Sequence, residues 1–253
     1  MSALPLSVTQ DKAHHKVSDR YTQINTSLII EKLLDSGFEM HEAKEARVRK
    51  KDNVGFQKHL VTLKYTELET AEGVPTVVIR NSHNRTSGLS LFSGYIRFAC
   101  FNGLIAGTGI EDFHIKHKRS WETDVDAFLD RYVDTVHQLQ ADYDMMKNYR
   151  MSAYMEIEFV RKAAELRYSL DDYMDVRELS RIKRIEDRGN DLYRIFNRVQ
   201  ENLLAGDFER RIVNVSEELG RVESWGKAKV ITNTEEIVRL NRGLHDIAMG
   251  VLN

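Results

Sequence analysis

Arg80, Arg85, Arg97, Lys116, Lys118 and Arg119 fall within one stretch of the chain, and Tyr95, Phe98 and Phe101 stand among them. Cations along a groove with rings beside them suit single-stranded nucleic acid. The cations take the phosphates, and each base stacked on a ring contributes about 1–3 kcal/mol. On a strand Lys116 and Lys118 share one face, and Arg80 neighbours them if its strand pairs with theirs. The chemistry expected is electrostatic capture of single-stranded DNA without sequence reading. Its expected contacts are Arg80, Arg85, Tyr95, Arg97, Lys116, Lys118 and Arg119.

Other chemistries fit the residues less well. His114 and His117 are an odd number of positions apart, so on a strand they face opposite ways. With His83 they find no cysteine partner and no helical His pair, which leaves hydrogen-bonding histidines and no metal site. In Asn81-Ser82-His83-Asn84 the serine and histidine are adjacent and no nucleophile elbow surrounds them, so the segment reads as a turn. The carboxylates at Asp142 and Asp144 and at Asp171, Asp172 and Asp175 sit in helical segments as solvated faces. Glu42-Ala43-Lys44 matches half of a nuclease motif in a charge-rich strand. The glycines of GLIAGTGIED lack the order of a phosphate cradle. No catalytic residue, metal or cofactor is expected. A metal-dependent nuclease stands third, behind the DNA-binding reading and behind a factor that binds a host protein or RNA polymerase.

The charges separate along the chain. The 253 residues hold 37 Lys+Arg and 39 Asp+Glu, a net charge of −2. Positions 1–120 carry 17 cations against 13 anions, giving +4, and positions 121–253 carry 20 against 26, giving −6. An anionic partner is therefore sought in the first half. No run of about eighteen apolar residues occurs, so no membrane helix is expected. The first residues lack a basic segment followed by an apolar one, which argues against secretion. Cys100, alone in an apolar segment, reads as a core residue in a reducing compartment. The expected location is the cytoplasm.

These residues must be held by elements that the pattern sketches. Residues 1–24 read as a flexible arm, 25–120 as an α+β core and 121–253 as a helical region continuous with it. A helix starts at Asn25 or Thr26, carries Leu28, Ile29, Leu33 and Leu34, and ends at Gly37. Residues 38–51 form an edge strand rich in both charges, and Asp52 to Gly55 a turn. HLVTLKY (59–65) alternates as a half-buried strand, and TVVIRN (76–81) is rich in β-branched residues. After the polar turn SHNRTSG comes a short apolar strand. A helix is then expected from Ser93 through Tyr95, Phe98 and Phe101 to Gly107, followed by a strand at FHIKHKR. From Trp121 onward the spacing of three and four predicts helices to about Met146, over 152–168, through Leu192 to Leu203 and from Asn233 or Thr234. The fold class is α+β: a small antiparallel sheet with a packed helix first, a helical half after it. The mixed-charge helices of that half are expected to pack against a second copy, making a homo-oligomer.

The central segment NSHNRTSGLSLFSGYIRFACFNGLIAG resembles a family of phage- and plasmid-encoded proteins of unknown function. The resemblance rests on Asn81, Ser82, His83 and Arg85 in the turn, and on Gly94, Arg97, Cys100, Asn102 and Gly103 after it. NDLYRIFNRVQENL is similar to the family's later helix around Asn190, Tyr193, Asn197 and Glu201. The resemblance implies a mobile-element origin and no catalytic role. It points to support of replication, recombination or transcription of the element's own DNA.

Overall fold

Two runs of β-branched and apolar residues beside a polar turn build the centre of the first half. The computed structural model describes residues 4–17, 21–97, 103–104, 113–115, 120–168, 175–216 and 220–253. They divide into two units, Met1–His137 and Gln138–Asn253, with the division inside one long helix.

In the first unit a helical turn, α1 (Leu6–Thr9), precedes α2 (Thr26–Asp35). Asn25 caps α2 by accepting from the Ser27 amide at 3.0 Å, and Gly37, at φ 89°, ends it. The sheet contains β1 (Glu39–Glu45), β2 (His59–Lys64), β3 (Gly73–Asn81), β4 (Leu89–Arg97), β5 (Gly103–Leu104) and β6 (Phe113–Ile115). Its order is β1-β2-β3-β4-β5, all antiparallel, and β6 shares with β5 the outer edge of β4. At the opposite edge, β1 carries a register shift between Met40 and Glu42 and exposes alternating charges, two devices that discourage edge-to-edge pairing. Val61, Leu63, Val77, Ile79, Leu89 and Leu91 share one face. With Ile29, Ile30 and Leu33 of α2, and Val125, Phe128, Tyr132 and Val136 of α3 (Trp121–Asn148), they form one core.

Two expectations are corrected here. The helix expected from Ser93 is strand: Ser93 pairs with Val77, Gly94 with Thr76 and Arg97 with Gly73. Every residue of β4 is buried, so neither of its faces is marked by exposed polar residues and the alternation that marks a strand is lost. The remainder of the expected helix, including Phe98, Cys100, Phe101 and Asn102, lies outside the described residues. The arm is also held at residues 4–17. Val8 is buried in the core, and the Ser7 amide and hydroxyl both donate to Glu45 Oε2, at 3.3 and 2.9 Å.

The second unit continues with α4 (Ala153–Glu165), α5 (Val176–Leu179), α6 (Leu192–Ala205) and α7 (Thr234–Leu252). Asp191 caps α6 by accepting from the Arg194 amide at 3.0 Å, and Gly206, at φ 67°, closes it. Leu192, Ile195, Phe196, Val199 and Leu203 supply the buried stripe that their spacing predicts. Between α6 and α7, where the sequence pattern predicts no element, an antiparallel hairpin joins β7 (Glu209–Ser216) to β8 (Gly220–Lys227). The class is thus α+β, with the antiparallel sheet in the first half and a mostly helical second half. Among the described residues no helix is long and apolar enough to cross a membrane.

Candidate functional site

Strand direction gathers three distant segments at one end of the sheet. Antiparallel pairing sets the end of β1 beside the start of β2 (Glu45 opposite His59), and the start of β2 beside the end of β3 (His59 opposite Asn81). The Ala46 amide then donates to Lys58 O at 2.8 Å, the His83 amide to Phe56 O at 3.0 Å, and the His14 amide to His83 O at 3.1 Å. Residues 46–58, the turn after Asn81 and the segment around His14 therefore lie side by side.

Asn81, Ser82 and His83 are fully buried and build the turn from within. Asn81 Nδ2 donates to Ile24 O at 3.2 Å and to Thr26 Oγ1 at 3.0 Å, while Asn81 Oδ1 accepts from the Ser82 amide at 2.8 Å. Ser82 Oγ donates to Ser87 O and accepts from the Ser87 amide, each at 2.8 Å, which closes the loop over itself. The histidine protons follow from these partners. His59 Nδ1 faces Gln57 O at 3.2 Å and must donate, so His59 Nε2 accepts from the Thr26 hydroxyl at 2.8 Å. Gln23 Nε2 donates to His83 Nδ1 at 2.9 Å, which puts the His83 proton on Nε2. The two rings lie 5.3 Å apart. Tyr21 donates to Ser82 O at 3.3 Å. Burial pushes its hydroxyl up to about 12 against the pull of the Arg85 charge, so it keeps its proton. These hydrogen bonds tie the turn to the segment around Ile24 and Thr26 and to Gln23, and so hold it in place.

Burial holds the His59 ring at about 4, with the Gln57 carbonyl opposing the shift. The unfolded chain takes up that proton near 6.5 and the folded chain only near 4. Stability present above about pH 6.5 is therefore lost as the pH falls toward 4, by roughly 3 kcal/mol. Urea midpoints across this window should fall steeply for the native protein and less steeply for His59→Gln. Equal slopes would remove His59 as the cause.

On this scaffold Arg85 is presented to solvent at φ 64°, a left-handed conformation that costs a bulky residue energy and commonly marks a working position. Beside it, residues 44–58 carry six cations (Lys44, Arg47, Arg49, Lys50, Lys51 and Lys58) against two carboxylates (Glu45 and Asp52). Arg47, Arg49, Lys50 and Lys51 are exposed, and none of them is in an ion pair among the described residues. Lys12, His15 and Lys16 are exposed on the adjoining segment. Sequence reading missed this loop as a site, although five cations in the eight residues 44–51 were the available signal.

The expected contacts distribute differently. Arg80 is near this end, half-buried, with Nη2 donating to Ser90 Oγ at 3.1 Å and the guanidinium 5.2 Å from the Phe92 ring centre. Tyr95 is buried, its hydroxyl 2.7 Å from Thr70 Oγ1, and so offers no open face to a base. Arg97 is 8% exposed and lies seven residue steps along β4 from Ser90, about 23 Å away and on the opposite sheet face. The expectation that all these cations share one trough therefore fails for Arg97. Arg80 does not border β6 either, because β4 lies between them. Gly103 pairs with Ile96 in β5. Lys116, Lys118 and Arg119, like Cys100 and Asn102, lie outside the described residues; β6 ends just before them, at Ile115 opposite Leu89. Among the described residues no group of three or more His, Cys, Asp or Glu could hold a metal ion.

Two relatives from Escherichia coli (strain K12) are similar along nearly the whole chain. UPF0380 protein YafZ is 26% identical over 250 residues, covering 97% of this chain and 88% of its own. UPF0380 protein YfjQ is 26% identical over 248 residues with the same coverage. No solved structure matches the chain. Residues 13–235, which hold the buried turn, the cationic loop and α6, match the family described as Domain of unknown function (DUF932), and the chain belongs to that family.

Proposed function

We propose that this protein is a non-enzymatic single-stranded-DNA-binding protein that holds the phosphate backbone at the cationic end of its sheet. One observation carries the reading: hydrogen bonds from Ala46, His83 and His14 bring the exposed cations Arg47, Arg49, Lys50, Lys51, Arg85, Lys12 and Lys16 to one place. Such a cluster on a chain of net charge −2 is a local field, and it favours a polyanion that reaches only this end. A single strand fits better than a duplex because, among the described residues, these cations sit on the segments between elements and not along a helix or strand that could enter a groove. The task assigned to it, support of replication, recombination or transcription of a phage's or plasmid's DNA, follows from the resemblance of the central motif.

Salt titration of binding to a labelled oligonucleotide tests the reading. With about five phosphates neutralised, log affinity should fall against log salt with a slope of about −3.5, so about a fourfold rise in salt costs about a hundredfold. No salt-dependent binding would favour the host-protein reading. Cleavage of the oligonucleotide on adding Mg²⁺ would favour a nuclease.

A further inference from the structure

With Tyr95 buried, the proposed interface needs another ring for the bases, and the segment that flanks the turn supplies one. His15 is exposed, and its ring stacks on His14 with centres 4.3 Å apart and planes 27° from parallel. His14 is 3% exposed and fixed on every side. Its ring stands edge-on to Phe56 at 5.0 Å, Nε2 donates to Asp52 O at 3.1 Å, and Nδ1 accepts from the Lys16 amide at 3.2 Å. The three rings thus form a short ladder, anchored at Phe56 and His14, whose outermost member meets solvent. Lys12 and Lys16 are exposed on either side of it in the chain, and the Asp52 contact ties it to the loop of Arg49, Lys50 and Lys51.

We propose that His15 is the base-stacking residue of this protein: a nucleobase of a single-stranded DNA lies against its ring while the neighbouring lysines and arginines take the adjoining phosphates. The physical reason is preorganisation. A ring already held parallel to a buried partner loses little freedom when a base is laid upon it, and every base has a face to offer, so the contact is tolerant of sequence. Cations on both sides supply the charge complement of a strand passing over the ring. The inference rests on the reading above, and it adds a contact to the base where that reading has contacts to phosphate alone.

The test compares a labelled oligothymidylate with an abasic strand of the same length. The native protein, His15→Ala and His15→Tyr are measured on both strands at one salt concentration and then in a salt titration. His15→Ala should weaken oligothymidylate binding about tenfold, leave the abasic strand within about twofold, and keep the salt slope. His15→Tyr should restore the native preference for the strand with bases. Equal affinity of the native protein and His15→Ala for oligothymidylate, or equal weakening on both strands, would overturn the stacking role while leaving phosphate capture standing. Failure of the native protein to bind either strand would overturn both.

Discussion

Replacing Arg47, Arg49, Lys50 and Lys51 together with glutamate is expected to lower affinity for a single-stranded oligonucleotide about a thousandfold and to flatten the salt dependence. Each phosphate released from a cation gives up about 0.7 of a power of salt concentration, so four of them account for nearly three powers of ten at moderate salt. Glutamates in their place add repulsion. The fold should survive, because all four side chains are exposed and none is in an ion pair among the described residues. The thermal midpoint should therefore stay close to the native value, as is usual for surface changes. Reversing Lys183 and Arg188, exposed cations of the second unit, changes net charge in the same direction and should leave affinity within a few-fold. Loss of binding in that control would make the attraction a property of overall charge, and retention of binding in the loop variant would remove this end of the sheet as the interface.

Much of the scaffold was legible because its apolar residues recur at the period of the element that carries them. β2 alternates buried and half-buried residues, α6 carries a single apolar stripe, and both are recognisable from spacing. β4 was misread because both of its faces are buried. With no alternation left, Tyr95, Phe98 and Phe101 at steps of three imitated a helix. The β7–β8 hairpin escaped because its strands mix arginine and glutamate with aliphatics. Trp225, directly opposite Arg211, is 68% exposed, so the hairpin has no clean apolar face to read. The candidate site was only half legible. Asn81, Ser82 and His83 stood out as turn chemistry, yet their burial, and the service they give to Arg85, depends on Gln23, Ile24, Thr26 and Phe56, which only tertiary pairing brings near. The loop cations were visible as charges. What made them a site was their register beside the turn, and local sequence does not encode register between strands so far apart.

The far end of the same sheet provides the second large effect and a control for the first. Gly73 opens β3 opposite Arg97, and a methyl group there would stand 2.2 Å from Ile96 O, 2.6 Å from a Tyr95 ring carbon and 3.0 Å from the Arg97 Cα. Two of these neighbours are backbone in a paired central strand and cannot swing aside, so the ladder itself must open. The change would also disturb Gly73 O, which accepts from the Thr70 amide at 2.9 Å, and the 2.7 Å contact of Thr70 with the Tyr95 hydroxyl. Gly73→Ala is therefore expected to destabilise the protein by about 3 kcal/mol, the upper part of the range for overpacking. In hydrogen exchange, the amides around Val74 and Ile96 should lose protection before those around Ile79 and Leu91. A stability within about half a kcal/mol of native would mean the strands can part there without strain. Because the cationic loop begins about 26 Å from this point along the sheet, beyond Asn81, the folded fraction should bind oligonucleotide with native affinity. If affinity falls with stability in Gly73→Ala, the DNA contacts extend along the whole sheet; if only stability falls, they are confined to the end where Arg85 and the loop meet.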